Sequence, residues 1–308
     1  MSALTLKGPY WATVRQHRRA LWTVPAVVVA GLAAVLALRA LASDPSSDAI
    51  PYANHGWRVL GLFMDYAGMG LLFLPLLVGA FVAGPMTARE LESGTWRLAL
   101  TQSSTPRAWL GAKVLVAALV SALGSAALVL VYRIGWSRVS STYQLTWFDR
   151  GTYEATGPVL TAYCLLGVAV GAVVGQLVRR TVAAMAAGGF LTGLVLFALS
   201  SLRWSLLPTQ SNTIPFSGHM SQLVPSNSLM TDWGLVTSSG ARLPETACFE
   251  RTQRFNDCPA DLNVTSRYAE FHPASHYWPT QLIETSIVLV LAAAALYAAF
   301  RLVRVRRG

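Results

Sequence analysis

The sequence predicts an all-α integral membrane protein with six transmembrane helices. Composition is the first observation. Of 308 residues, 54% are hydrophobic and only 12% charged, where a soluble domain carries about 25% charged residues. The second is spacing. Apolar runs near the roughly 20 residues that cross hydrocarbon fall at about 22–42, 65–86, 108–131, 157–178, 183–202 and 281–300. The third is charge sorting. An even number of spans puts both ends on one side. That side then holds 14 of the 24 Lys and Arg, but of the 14 acids only Glu90 and Glu92. Cytoplasmic loops gather Lys and Arg in this way, so both termini are placed on the cytoplasmic side of the membrane. The net charge of +10 is explained by topology, and no nucleic-acid partner is inferred from it.

The elements follow in order. Residues 1–21 are expected to form an interfacial helix, with Leu6, Tyr10, Trp11 and Val14 on one face and a basic cluster for anionic headgroups. The alternative is a basic tail that only sets orientation. The first span ends Arg39-Ala40-Leu41-Ala42. It is read as retained, because Arg39 beside the small residues makes a poor signal-peptide cleavage site. Residues 22–202 hold spans one to five, with a cytoplasmic loop at about 87–107. Residues 203–280 are too long for a plain connector and form a small extracytoplasmic cap before the last helix, 281–300. A basic tail, 301–308, returns to the cytoplasm. Cys248 and Cys258 lie in the cap, on the oxidising side, and are expected to form a disulfide. Cys164 is expected to be a packed thiol. Asn263-Val264-Thr265 fits a glycosylation triplet.

Several chemistries are missing. No GxxxxGK[ST] loop and no GxSxG elbow occurs. His272 and His276 are four apart, but Pro273 lies between them and no Glu follows His272, so no metal site is expected. The chain is therefore not expected to be an enzyme or to hold a cofactor. Ionisable groups near membrane depth are functional candidates. Asp65, Glu284, Arg39, Arg133 and Arg203 all fall near the outer ends of spans. Interfacial pairing and an outer gate held by ion pairs are both open; a proton relay is disfavoured, since nothing ionisable continues inward. Gly167, Gly171 and Gly175 form one helical stripe that allows close backbone approach, either within the chain or at a homodimer seam.

The most elaborate polar stretch is ARELESGTWRLALTQ, 88–102, between spans two and three. The helix can run to Leu91 or Glu92. Gly94 suits the positive φ just past a helix end. Thr95 can cap a short new helix from Trp96 to about Thr101. Thr105-Pro106 then supplies an N-cap and a first-turn proline for span three.

This stretch, extended as ARELESGTWRLALTQSSTPRAWLGAK, resembles the equivalent loop of ABC-2-type transporter permeases, especially a branch common in high-GC Gram-positive bacteria. The matching residues are Ala88-Arg89-Glu90, Glu92, Gly94-Thr95, Arg97-Leu98, Thr101-Gln102, Arg107, Trp109 and Lys113. The entry into the last span, HPASHYWPTQLIETSIVL at 272–289, is also similar in its aromatic-Pro pair, Gln281 and Glu284. Trp96 departs from the pattern, where His is more usual. The resemblance implies a type V exporter-like, six-span ABC-2 architecture. It implies two copies of a separate ATP-binding subunit carrying Mg-ATP, and a second permease chain, read as a homodimer with a homologous partner chain as the alternative. It makes 88–102 the coupling loop, with Arg89, Glu90, Glu92, Gly94, Thr95, Trp96, Arg97, Thr101 and Gln102 as candidates for contact with the ATPase. Spans without buried charge lean towards a hydrophobic or amphipathic substrate. The rivals are a non-transporting sensor or scaffold that uses the cap, and a membrane-embedded enzyme.

Overall fold

A computed structural model describes residues 9–16, 18–42, 55–96, 105–140, 145–218, 220–254 and 257–305. The chain divides into two units, residues 1–203 with 281–308, and residues 204–280.

The first unit is helical. Helix α1, Pro9–Gln16, packs along α6, Pro106–Val139. Tyr10 and Trp11 are exposed on α1, and Arg15 lies over the Trp11 ring at 4.9 Å. Helix α2, Arg18–Leu41, is the first span. The second runs without a gap from His55 to Glu92, through α3 (His55–Leu72), α4 (Leu74–Leu77), a π-helical segment (Val78–Ala83) and α5 (Gly84–Glu92). Its 38 residues extend about 57 Å at 1.5 Å per residue. That exceeds the roughly 30 Å of hydrocarbon, and so exceeds the expected 65–86. The wide turn has a local cause. Pro85 has no N–H, and its ring would strike the carbonyl of Phe81 in a regular helix. The i→i−5 bond from Gly84 N to Gly79 O relieves that conflict.

Helix α6 opens as the sequence suggests. Thr105 is extended and its Oγ1 accepts from Ala108 N at 3.2 Å, with Pro106 in the first turn. Helix α7, Thr152–Thr156, is a short buried helix, followed by α8, Val159–Val178, and α9, Thr181–Leu202. The last span is α12, Tyr277–Val305. Helix α8 is the hub, packing on α6, α9, α5 and the π segment. It is mostly buried, whereas α2 is exposed or half-buried along its length, with Val35 buried against its neighbours. Among the described residues, six helices are long and apolar enough to cross a membrane.

The 204–280 unit carries strands that an all-helical reading leaves out. Strands β1 (Gln210–Pro215), β2 (Leu229–Thr237), β3 (Arg242–Pro244) and β4 (Val264–His272) form an antiparallel sheet in the order β1-β4-β2-β3. Two short helices, α10 (Met220–Leu223) and α11 (Thr246–Thr252), accompany it. Ile214, Leu223 and Ala269 form its small core. Cys248 on α11 is bonded to Cys258, with Cα atoms 4.8 Å apart. Asn263 sits in the turn before β4 at φ 45°. A core this small gains from a cross-link, because small domains bury too little surface to be stable alone.

Candidate functional site

The end of the bundle at α5 and the loop after it concentrates polar contacts. Helix α5 stops at Glu92. Ser93 N closes the last turn on Arg89 O at 3.0 Å, and Gly94 follows at φ 72° with open space around it. Only glycine takes that backbone region without strain. Ser93 Oγ and Thr95 Oγ1 are 2.9 Å apart. Arg89, Ser93, Gly94 and Thr95 are exposed, and Trp96 is half-buried. Arg97, Thr101 and Gln102 lie outside the described residues.

The two acids of this turn face inward to the chain's own helices. Glu90 pairs with Lys113 of α6 and accepts from Trp109 Nε1 at 2.9 Å. Lys113 is almost sealed from solvent, and its Nζ also donates to Met86 O at 2.9 Å. Glu92 Oε2 accepts from Thr181 N at 2.8 Å and Thr181 Oγ1 at 2.6 Å, so it caps the start of α9. A carboxylate at that position satisfies an orphan N–H and meets the positive end of the helix dipole. The last turn of α5 is therefore tied to α6 by one carboxylate and to α9 by the other. The family resemblance marks both as candidates for contact with the ATPase, and the contacts they make here are to the chain's own helices. Trp109 and Lys113 were visible in the same motif as the groups that hold Glu90.

Above this turn, the glycine stripe of α8 packs inside the chain. A Cβ on Gly167 would lie 2.7 Å from Pro75 O, one on Gly171 2.4 Å from Ala83 Cβ, and one on Gly175 2.2 Å from Thr87 Oγ1. The stripe is the seat of the second span, including its π segment.

The opposite end of the bundle holds a buried charge cluster. Arg203, at the end of α9, donates Nε to Glu284 Oε2 at 2.7 Å and Nη2 to Glu154 Oε1 at 2.6 Å. Glu284 Oε1 also accepts from Tyr163 OH at 2.7 Å. Glu154 Oε2 accepts from Gly151 N at 3.0 Å, and the Tyr153 ring lies 3.8 Å under the guanidinium. All three charged side chains are at most 3% exposed. Gln281 joins them, donating to Tyr153 O at 2.7 Å and accepting from Val159 N at 3.3 Å. Two carboxylates face one guanidinium. The N–H of Gly151, just before α7, and the Tyr163 hydroxyl are further donors to the two carboxylates.

Of the five ionisable candidates, the structure joins Arg203 and Glu284. The cluster does not include Asp65, Arg39 or Arg133. Arg39 instead donates to Ile134 O and, at 3.0 Å, to Ser137 Oγ on α6. Glu154 was missed, being hidden in a short loop; its Gly-x-x-Glu spacing before a short helix was the available signal. Cys164 is buried in α8. His272 and His276 approach through Nδ1 atoms 3.1 Å apart. Among the described residues no group of three or more His, Cys, Asp or Glu could hold a metal ion.

A family model, described as ABC-2 membrane transporter related, matches residues 20–203, more than half of the chain. The chain belongs to this family. The match spans the first five membrane helices, the α5 turn and the glycine stripe, and ends on Arg203. Family membership makes the chain a transmembrane transporter component and a multi-pass membrane protein. It also implies association with an ATP-binding subunit in a membrane complex. No curated protein and no solved structure matches the chain.

Proposed function

We propose that this ABC-2 chain is the transmembrane permease subunit of an ATP-driven exporter. ATP is hydrolysed on two copies of a separate ATP-binding subunit, and the chain itself carries no catalytic site or cofactor. A second copy of the same chain completes the membrane pathway. Both termini and the loop between α5 and α6 face the cytoplasm, and 204–280 lies outside. The sorting of Lys and Arg supports that orientation.

The observation that carries the reading is the double anchoring of the α5 turn, through Glu90 to Lys113 and Trp109 and through Glu92 to Thr181. A loop that only connects two spans needs no such anchoring. A loop that must pass displacement into the membrane does, because ATP drives transport only by biasing two conformations of the permease. The exposed Arg89, Ser93, Gly94 and Thr95 form the contact face, and Glu90 and Glu92, each bonded to another helix of the chain, are the transmission. The Arg203 cluster closes the outer end of spans four to six and must rearrange if that end opens.

The test is reconstitution with an ABC ATP-binding subunit from the same organism, with a photo-cross-linking residue at Thr95. Cross-links to the ATPase that change between nucleotide-free and ATP-bound states support the reading. A correctly inserted chain that never associates with the ATPase sinks it and favours the sensor or scaffold.

A further inference from the structure

The helical unit holds an apolar cleft between its first three spans. It is lined by Gly31 and Val35 of α2, by Phe63, Met64, Ala67, Gly70 and Leu71 of α3, and by Leu128, Val131 and Tyr132 of α6; its volume is about 180 Å³. Val35, Met64, Val131 and Tyr132 are buried, while Gly70 is exposed at the surface. The polar atom of the lining is the Tyr132 hydroxyl, and it is engaged by Thr152 Oγ1 at 3.2 Å. The outward faces of α2 and α6 carry Val27, Val29, Leu36, Leu123 and Leu130, each more than half exposed. These are membrane helices, so the medium at the mouth of the cleft is hydrocarbon.

Space is kept here by missing side chains. A Cβ on Gly70 would meet nothing within 4 Å, and one on Gly31 only Val131 Cγ1 at 3.8 Å. Glycine costs about 1 kcal/mol relative to alanine inside a helix, and at Gly70 no neighbour compels it. Elsewhere in the same region the packing is tight. A Cβ on Gly135 would lie 2.4 Å from Met64 Sδ, and one on Gly68 3.0 Å from Tyr132 OH. The opening is thus local. An engineered apolar cavity of about 150 Å³ stays dry and takes up benzene, so a slightly larger one beside lipid accepts a hydrocarbon segment.

We propose that this cleft binds the hydrocarbon tail of an amphipathic substrate that enters from the bilayer, with Gly70 at its mouth and Met64, Val35 and Tyr132 at its base. The inference rests on the permease reading for the word substrate, but the binding itself does not require the ATPase. An absence of any charged group in the lining limits the bound part to an uncharged chain. The polar head stays outside the cleft, among the lipid headgroups.

The experiment uses the full chain in nanodiscs that contain a small fraction of a phospholipid with a diazirine in its acyl tail. Photolabelled peptides are mapped in the wild type, in Gly70→Leu, and in Gly61→Leu as control. Gly61 lies on the same helix, outside the cleft, and a Cβ there also meets nothing within 4 Å. The expected result is labelling enriched at 63–71 and 128–132 over the exposed apolar face of α9 at Phe190, Leu194 and Phe197. Gly70→Leu should abolish the enrichment, Gly61→Leu should preserve it, and α9 labelling should not change. Equal labelling of the cleft and the α9 face, or enrichment that survives in a folded Gly70→Leu chain, overturns the proposal. A cleft that labels as expected in a chain that binds no ATPase would reject the permease reading alone. With the ATPase present, stimulation of ATP turnover by amphipathic lipid should be lost in Gly70→Leu and kept in Gly61→Leu. Unchanged stimulation would overturn the assignment of the bound tail to substrate.

Discussion

Lys113 and Glu90 form an ion pair in which the lysine side chain is 4% exposed and the glutamate 17%. The pair joins α6 to the last turn of the second span, one residue short of Leu91 and three short of the break at Ser93. Its position makes it the point where the loop is fastened to the bundle. Removing one partner leaves a buried charge uncompensated, at a cost of about 3–5 kcal/mol. Glu90→Ala should therefore lower the thermal stability of the purified chain clearly. Removing both charges should cost much less, so Glu90→Ala with Lys113→Met should recover most of the loss. A double-mutant cycle in thermal unfolding reads the coupling. Additive effects would show that the pair contributes nothing.

Arg203 supports a sharper version of the same argument, because it faces two carboxylates. Arg203→Met strands Glu154 and Glu284 against one another in a site at most 3% exposed. Loss of folded protein is expected, with a penalty of at least the roughly 3–5 kcal/mol of a broken buried pair. Arg203→Lys should rescue poorly, since an ammonium cannot span both carboxylates as a guanidinium fork does. Yield and melting temperature in detergent check this. A stable Arg203→Met chain would mean that the two carboxylates do not depend on the guanidinium.

Glu92 should behave differently from Glu90. It is exposed and acts as a cap on α9 through Thr181 N and Oγ1. Glu92→Gln keeps an acceptor and should leave the cap largely in place, while Glu92→Ala removes it and should loosen the first turn of α9. Hydrogen exchange in the first turn of α9 is the readout. Unchanged protection at residues 181–184 in Glu92→Ala would show that the carboxylate does not cap the helix.

What the sequence made legible was what local physics decides. Six apolar runs gave six spans. Thr105-Pro106 gave a helix start, and Gly94 gave the break, at φ 72°. The seat of the glycine stripe was not legible, because a run of small residues does not say which neighbour it meets. Nor was the destination of Glu90 and Glu92, since the groups that hold them come from helices 19 to 89 residues away in the chain. Asp65, Arg39 and Arg133 shared a predicted depth with Glu284, but depth alone does not specify the side of a helix. The sheet in 204–280 was missed because its strands are short and half-polar, so period-2 alternation is weak beside the Pro, Ser and Asn around it.

The glycine stripe gives a packing prediction of its own. At Gly171 a Cβ would lie 2.4 Å from Ala83 Cβ and 2.8 Å from Gly84 N. Neither is the tip of a flexible side chain, so even alanine forces backbone to move. Gly171→Ala should destabilise by about 1–3 kcal/mol, the range for overpacking, despite alanine's higher helix propensity. Gly61→Ala, in open space, should be neutral or slightly stabilising. Melting temperatures of the two variants in one detergent settle the comparison. A neutral Gly171→Ala would mean that α8 and the second span are not in such close contact.

His272 gives a pH dependence. It is 2% exposed, it lies against Trp204 and His276, and its Nε2 has no hydrogen-bond partner. Burial pushes its pKa below the ordinary value of 6.5, and the neighbouring His276 adds to the effect. The folded unit therefore holds this imidazole neutral, and the unfolded chain takes up the proton first. Its contribution to stability is fully present above about pH 6.5 and is lost as the pH falls from there towards the lowered folded value. Hydrogen exchange across β4 in the full chain should be slow at pH 7.5 and, after correction for intrinsic exchange, faster at pH 5.5. His272→Phe keeps the ring volume and removes the titrating group, so the pH difference should shrink. If protection in β4 is the same at both pH values in the wild type, His272 does not titrate on unfolding in this range.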